Sequence, residues 1–142
     1  MSLRYIGREM ATVLIIDDDL VLCELYNAYF EAEGMSDWYA QGESDLERAL
    51  EIIATDKPEI IFLDNRLPPY DDFTESLQKI IDIGFTGPVV VQSACVDDEI
   101  FNQAEERGAT MVQEKWQVSS SSLAETVRRL SSGMPGCGPV TF

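Results

Sequence analysis

Short apolar runs alternate with amphipathic stretches five times along this chain, and that alternation leaves little freedom in the fold. Thr12–Ile16 is a brief run rich in β-branched residues, as a buried strand requires. Leu20–Glu33 then places Leu22, Leu25, Tyr26, Tyr29 and Phe30 at helical spacing and stops at Gly34. Ser36–Ala40 reads as a second strand. Ser44–Glu47 reads as a capping box, opening a helix whose apolar stripe is Leu46, Ala49, Leu50 and Ile53. Lys57-Pro58 breaks that helix, and Glu59–Leu63 is the third strand, ending at Asp64. Phe73–Ile83 is a helix closed by Gly84, and the run VVVQ is a fourth strand ending at Ser93. Asp97–Arg107 forms the next helix. Thr110–Gln113 is a weaker fifth strand, and Ser122–Glu125 offers a second capping box for a last helix to about Leu130.

Strands that alternate with helices pair in parallel and are covered on both faces. Right-handed crossovers make the expected fold an α/β, doubly wound, five-stranded parallel sheet, (βα)5. A length of 142 residues suits one domain. Residues 1–11 read as a disordered leader, 12–131 as the domain, and the Gly/Pro-rich 132–142 as a flexible tail.

Composition excludes several functions. The net charge of −16 opposes binding to nucleic acid or to an anionic membrane surface. The chain has no histidine, which removes Ser-His-Asp catalysis, histidine metal ligands and an internal phosphohistidine. Cys23, Cys95 and Cys137 are odd in number and irregularly spaced, which suits reduced thiols in a cytoplasmic protein. No apolar run approaches the roughly 20 residues that a membrane-spanning helix needs.

In a doubly wound sheet the ligand site lies beyond the carboxyl ends of the strands. That rule gathers Asp17, Asp18 and Asp19 after the first strand, Asp64 after the third, Ser93 after the fourth and Lys115 near the fifth. Clustered carboxylates repel one another by about 4 kcal/mol per pair at 4 Å and an effective dielectric of about 20. Such a cluster takes up protons or a cation, and hard oxygen ligands suit Mg2+. Lys115 and Ser93 add a fixed positive charge and a hydroxyl donor, completing a pocket for a phosphoryl group. Asp64, the only acid at the end of its strand, is the best candidate nucleophile.

The segments VLIIDDD, PEIIFLDNRLP, PVVVQSA and GATMVQEK, in that order, resemble the receiver domains of two-component response regulators. The resemblance spans about Thr12 to Leu130 and implies the flavodoxin-like arrangement of (βα)5. It implies that Asp17 and Asp18 are the acidic pair that holds Mg2+, and that Asp64 accepts the phosphoryl group. It makes Arg66 a metal ligand through its backbone carbonyl, Ser93 the switch hydroxyl, and Lys115 the partner of the phosphoryl group. Asp19 falls beyond the pair and suits a helix cap. The implied partners are a histidine kinase or histidine phosphotransfer protein, which supplies the phosphoryl group, and a downstream protein. The chain would catalyse only its own phosphorylation and dephosphorylation.

Three positions depart from the family pattern. Trp116 follows Lys115 where proline is usual, and a cis bond there would cost about 2.5–4 kcal/mol, so a trans bond is expected. Val112 stands where the family's rotating aromatic switch residue is usual. The loop after Asp64, Pro68-Pro69-Tyr70-Asp71-Asp72, lacks the usual glycines and implies another path. Trp116 is a candidate partner anchor, since tryptophan is enriched at binding hot spots.

Two rival readings remain. One is a receiver-like interaction module that works without phosphorylation, which the altered switch at Val112 would suit. The other is a haloacid-dehalogenase-type phosphatase using Asp17 as nucleophile, with Ser93 and Lys115 as its later motifs. That reading leaves Asp64 idle and lacks a later strand ending in paired acids.

Overall fold

The computed structural model describes residues 4–5, 8–94 and 98–132. Strands β1 (Arg4–Tyr5) and β2 (Arg8–Glu9) pair antiparallel, inside the stretch expected to be a disordered leader. The chain then runs β3 (Ala11–Ile16), α1 (Val21–Ala32), β4 (Trp38–Glu43), α2 (Leu46–Asp56), β5 (Ile60–Asp64) and α3 (Phe73–Asp82). It continues through β6 (Val89–Ser93), α4 (Asp98–Glu106), β7 (Met111–Glu114), a 3-10 turn at Lys115–Gln117, and α5 (Ser120–Ser132). The main sheet has five strands in the order β4-β3-β5-β6-β7, and every pair in it is parallel. This is the (βα)5 architecture that the alternation predicts, in the flavodoxin-like arrangement that the resemblance implies.

Period-two alternation divides the core. Leu14, Ile16, Ile61, Leu63, Val89 and Val91 face one layer, packed with Ala49, Ile53, Leu77, Ile80 and Ala104 of α2, α3 and α4. Val13, Ile15, Ile60, Phe62 and Val90 face the other, packed with Leu22, Tyr26 and Phe30 of α1 and Leu123, Ala124 and Val127 of α5. The central strands are apolar on both faces, as a covered parallel sheet demands. Fully burying each large aliphatic or aromatic side chain is worth about 1.5–3 kcal/mol, so the strands that carry the polar edge are held firmly in register.

Local details differ from expectation. The second strand is Trp38–Glu43, displaced along the chain from the expected 36–40. Its continuation through Gln41-Gly42-Glu43 is polar because β4 is an edge strand. Gly42 fits there because a Cβ would meet Cys23 Cβ at 3.0 Å and Leu20 Cδ2 at 3.3 Å. Asn27 of α1 clips the strand, accepting from Ala40 N–H at 2.8 Å and donating to Ala40 C=O at 2.9 Å. Helix α2 is capped by Asp45, not Ser44, with its carboxylate accepting from Arg48 N–H. Ser119 caps α5, so Ser122 lies within the first turn: Ser122 N–H donates to Ser119 Oγ and Ser119 N–H to Ser122 Oγ. Both helix starts are capped, but by Asp45 and Ser119 instead of the expected Ser44 and Ser122, because several adjacent polar residues offer the same oxygens. Cys23 is a free thiol whose Sγ donates to Ala40 C=O, whereas Cys95 and Cys137 lie outside the described residues.

Candidate functional site

The strand order reverses between β3 and β5, and a crevice opens where their carboxyl ends diverge. Asp17 follows β3 directly and Asp64 is the last residue of β5. Neighbouring strands therefore deliver two carboxylates to one place. Asp17 is fully buried and Asp64 nearly so, while Asp18 is exposed. One carboxylate oxygen from each of the three lies within 4.8 Å of the others.

Lys115 opens the turn after β7 and reaches across the end of β6. Its Nζ lies 2.8 Å from Asp17 Oδ2 and 3.4 Å from Asp64 Oδ1. Asp17 Oδ1 accepts from Asp19 N–H at 2.8 Å. Burial pushes the Asp17 carboxyl above its ordinary range, and the Asp64 charge adds to that rise, against the pull of Lys115 and the Asp19 N–H. Burial alone would lower Lys115, but its bonds and charges with Asp17 and Asp64 outweigh that and hold its ammonium above the ordinary value. The two shifts assign the pair opposite worth. Asp17 is the more deeply buried partner, so the desolvation penalty falls on it. The ion pair as a whole therefore adds little net stability, whereas losing the ammonium alone would leave a buried charge uncompensated.

The remaining residues close a cleft of about 610 Å³ lined by Asp18, Asp64, Asn65, Arg66, Ser93, Ala94, Ile100 and Lys115. Ser93 ends β6, buried beside Glu114 of β7 in the ladder. Arg66 N–H donates to Asp64 Oδ1 at 3.3 Å, which draws the backbone after β5 toward the carboxylates. Asp19 does serve the first helix, accepting from Val21 N–H, although Leu20 holds the cap position itself. Thus Asp17, Asp18, Asp64, Arg66, Ser93 and Lys115 share one edge.

The other two candidates stand apart from the cleft. Val112 is half-buried in β7 and packs on the layer that holds Ile100. Trp116 is 55% exposed, and the Lys115 Nζ lies 5.7 Å from its ring centre. Among the described residues the only cis peptide is Pro68–Pro69, so the Lys115–Trp116 bond is trans as expected.

Two contributors escaped sequence reasoning. Asn65 N–H donates to Gln92 C=O at 2.7 Å, and Asn65 Oδ1 accepts from Phe73 N–H at the start of α3. It ties β5, β6 and α3 together beside Asp64. Beneath Ser93, the fully buried Gln92 donates to Tyr26 Oη at 2.6 Å and to Gln113 Oε1 at 3.2 Å. Its place in the run VVVQ was the available signal, since a buried amide needs partners. Burial in that layer pushes the Tyr26 hydroxyl well above its ordinary value.

The site is chemically suited to a divalent cation: three carboxylates supply hard oxygens, and only one ammonium offsets them. Among the described residues no helix is long and apolar enough to cross a membrane. No curated protein sequence matches the chain. Solved structures do. A CheY-like response regulator receiver domain protein from Methanospirillum hungatei superposes with a TM-score of 0.76 at 19% identity, covering 92% of this chain and 100% of that one. The receiver domain of Francisella response regulator 1452 gives 0.71 at 23%, covering 85% and 96%. The BeF3-activated N-terminal receiver domain of Klebsiella pneumoniae RstA gives 0.66 at 24%, covering 84% and 97%. At these identities the likeness is one of fold. The family model for the response regulator receiver domain matches residues 13–128, the stretch that carries every strand end of the cleft. The chain therefore belongs to the response regulator receiver domain family.

Proposed function

We propose that this chain, with 12–131 as its receiver unit, accepts a phosphoryl group onto Asp64 from a partner phosphohistidine and changes its protein contacts in response. Receiver domains of this family work between histidine kinases and downstream effectors. The donor histidine lies outside this sequence, which contains none. One observation carries the reading: oxygens of Asp17, Asp18 and Asp64 gather within 4.8 Å, with Lys115 Nζ 3.4 Å from Asp64 Oδ1.

Asp64 is the acid placed to attack. Its carboxylate oxygen forms the bond to phosphorus as the phosphorus–nitrogen bond of the donor breaks, and the imidazole keeps the electron pair and takes a proton. Lys115 holds positive charge against the transferred group, and Ser93 lies at the cleft wall to meet a phosphoryl oxygen. Asp17, Asp18 and Asp64, with the Arg66 carbonyl, are the residues that would hold Mg2+. When bound, the cation supplies charge neutralisation that one ammonium cannot provide alone.

Leu20, Val21 and Trp116 are exposed apolar side chains at 47%, 61% and 55%. Leu20 and Val21 follow Asp19 and Trp116 follows Lys115 in the chain, and these three are the surface we assign to a protein partner. Val112 favours a second reading, an interaction module independent of phosphorylation, since a small branched side chain half-buried against the core has no large alternative position.

Labelling with a small phosphodonor and Mg2+ tests the proposal. Wild type should take up one phosphoryl group and Asp64→Asn none, with unchanged circular dichroism. Absence of label in both would favour the interaction module. Loss of turnover in Asp17→Asn with Asp64→Asn intact would point to the phosphatase alternative.

A further inference from the structure

The core layer between the sheet and α1 is not wholly apolar. Gln92 of β6, Tyr26 of α1 and Gln113 of β7 meet there, and the first two are fully buried. Gln92 Nε2 donates to both partners, while Gln92 Oε1 is buried and, among the described residues, accepts nothing. A buried acceptor without a donor is costly, and folded proteins keep few of them. The 2.6 Å contact with Tyr26 Oη is shorter than the roughly 2.9–3.0 Å usual for an N–H donor and suits an O–H donor. Turning the amide over would let Tyr26 O–H donate to Oε1 and would strand Nε2 in its place. Each position leaves one amide atom unpartnered, so the count of hydrogen bonds favours neither, and small changes around the amide decide between them.

We propose that the Gln92 side chain is a two-position coupling element that carries the occupancy of the phosphoryl site to the α1–α5 face through Tyr26. This rests on the assignment of Asp64 as acceptor. On the cleft side, Gln92 precedes Ser93 in β6, its C=O accepts from Asn65 N–H beside Asp64, and Gln113 stands two residues before Lys115. The Asp17 charge also acts on the Tyr26 hydroxyl, so a cation or phosphoryl group in the cup changes the field at the amide. On the far side, Tyr26 stacks with Tyr29 at 6.2 Å, and Tyr29 Oη donates to Val118 C=O at 3.4 Å, just before α5. Val112 packs on the opposite layer of the sheet and takes no part. A two-position element that both sites bias is what energetic coupling requires.

NMR of the full chain, with and without Mg2+ and BeF3− as the phosphoryl mimic, compares wild type, Tyr26→Phe, the double variant Tyr26→Phe with Gln92→Met, and Val112→Ala. In wild type the mimic should shift the Gln92 side-chain amide together with the backbone resonances of Tyr29 and Val118. The double variant replaces both partners by apolar groups of similar shape, so it should regain the stability lost in Tyr26→Phe alone. It should bind the mimic, read from the fluorine resonance, yet lose the shifts at Tyr29 and Val118. Val112→Ala should keep them. Shifts that persist in the double variant, a Gln92 amide that stays silent in wild type, or loss of the shifts in Val112→Ala overturns this inference and leaves Asp64 as acceptor. A double variant that no longer binds the mimic places Gln92 in the cup itself and overturns it too. No mimic bound and no labelling in wild type overturns the acceptor assignment and this inference with it.

Discussion

Replacing Lys115 by methionine keeps most of the side chain's bulk and removes its charge, which exposes the cost of the buried carboxylates. In the wild type one ammonium faces Asp17 at 2.8 Å and Asp64 at 3.4 Å. Carboxylate oxygens within 4.8 Å repel by about 3.5 kcal/mol at an effective dielectric of about 20, and that repulsion is what the ammonium offsets. Removing one partner of a buried ion pair costs about 3–5 kcal/mol. The Lys115 side chain is 12% accessible, so the lower end applies. At about 4 °C per kcal/mol for a domain of this size, the Tm of the metal-free protein should fall by about 12 °C.

The penalty depends on pH with a definite sign. The folded value of Asp17 lies above its ordinary 3.8, so the native state holds that proton more tightly than the unfolded chain. Stability from this group is greatest below 3.8 and is lost as pH rises through the folded value. Without Lys115 the folded value climbs further, so the difference between variant and wild type should be large near pH 7 and shrink near pH 4.5. Lys115 stays charged at both, since its own value is raised. Urea unfolding of both proteins in chelator at the two pH values measures this. A difference under about 1 kcal/mol near pH 7, or one that does not shrink on acidification, would refute the view that Lys115 neutralises a buried carboxylate.

Three further outcomes are expected. Millimolar Mg2+ should raise the Tm of wild type by mass action and lose most of that effect in Asp17→Asn, as a thermal melt would record. Tyr26→Phe removes the 2.6 Å bond to Gln92 and leaves a buried amide under-partnered, which should cost about 1–2 kcal/mol in urea unfolding. Trp116→Ala should change stability by less than about 0.5 kcal/mol because the ring is exposed, while weakening partner association measured by calorimetry.

The order of elements was legible because each central strand is a continuous apolar run bounded by turn residues, and each helix carries one stripe. Errors fell where that contrast fades. β4 is an edge strand with a glycine forced by the closeness of α1, so its polar half resembled a loop. The caps at Asp45 and Ser119 were misplaced by a few residues because runs such as Ser44-Asp45 and the four serines from 119 to 122 offer equivalent oxygens.

Sequence alone determined which side chains meet at the carboxyl edge, since strand ends in a doubly wound sheet are fixed by where apolar runs stop. Asp17, Asp64, Ser93 and Lys115 each follow such a stop. Tertiary structure decided how they interact. Only the packed sheet buries Asp17 fully, brings Lys115 from beyond β6 onto two carboxylates, and leaves Arg66 exposed at the rim. Those are questions of depth and distance between strands far apart in the chain. Local patterns hold the identity of each charge, but desolvation and Coulomb energy depend on its surroundings, which exist only once the layers close.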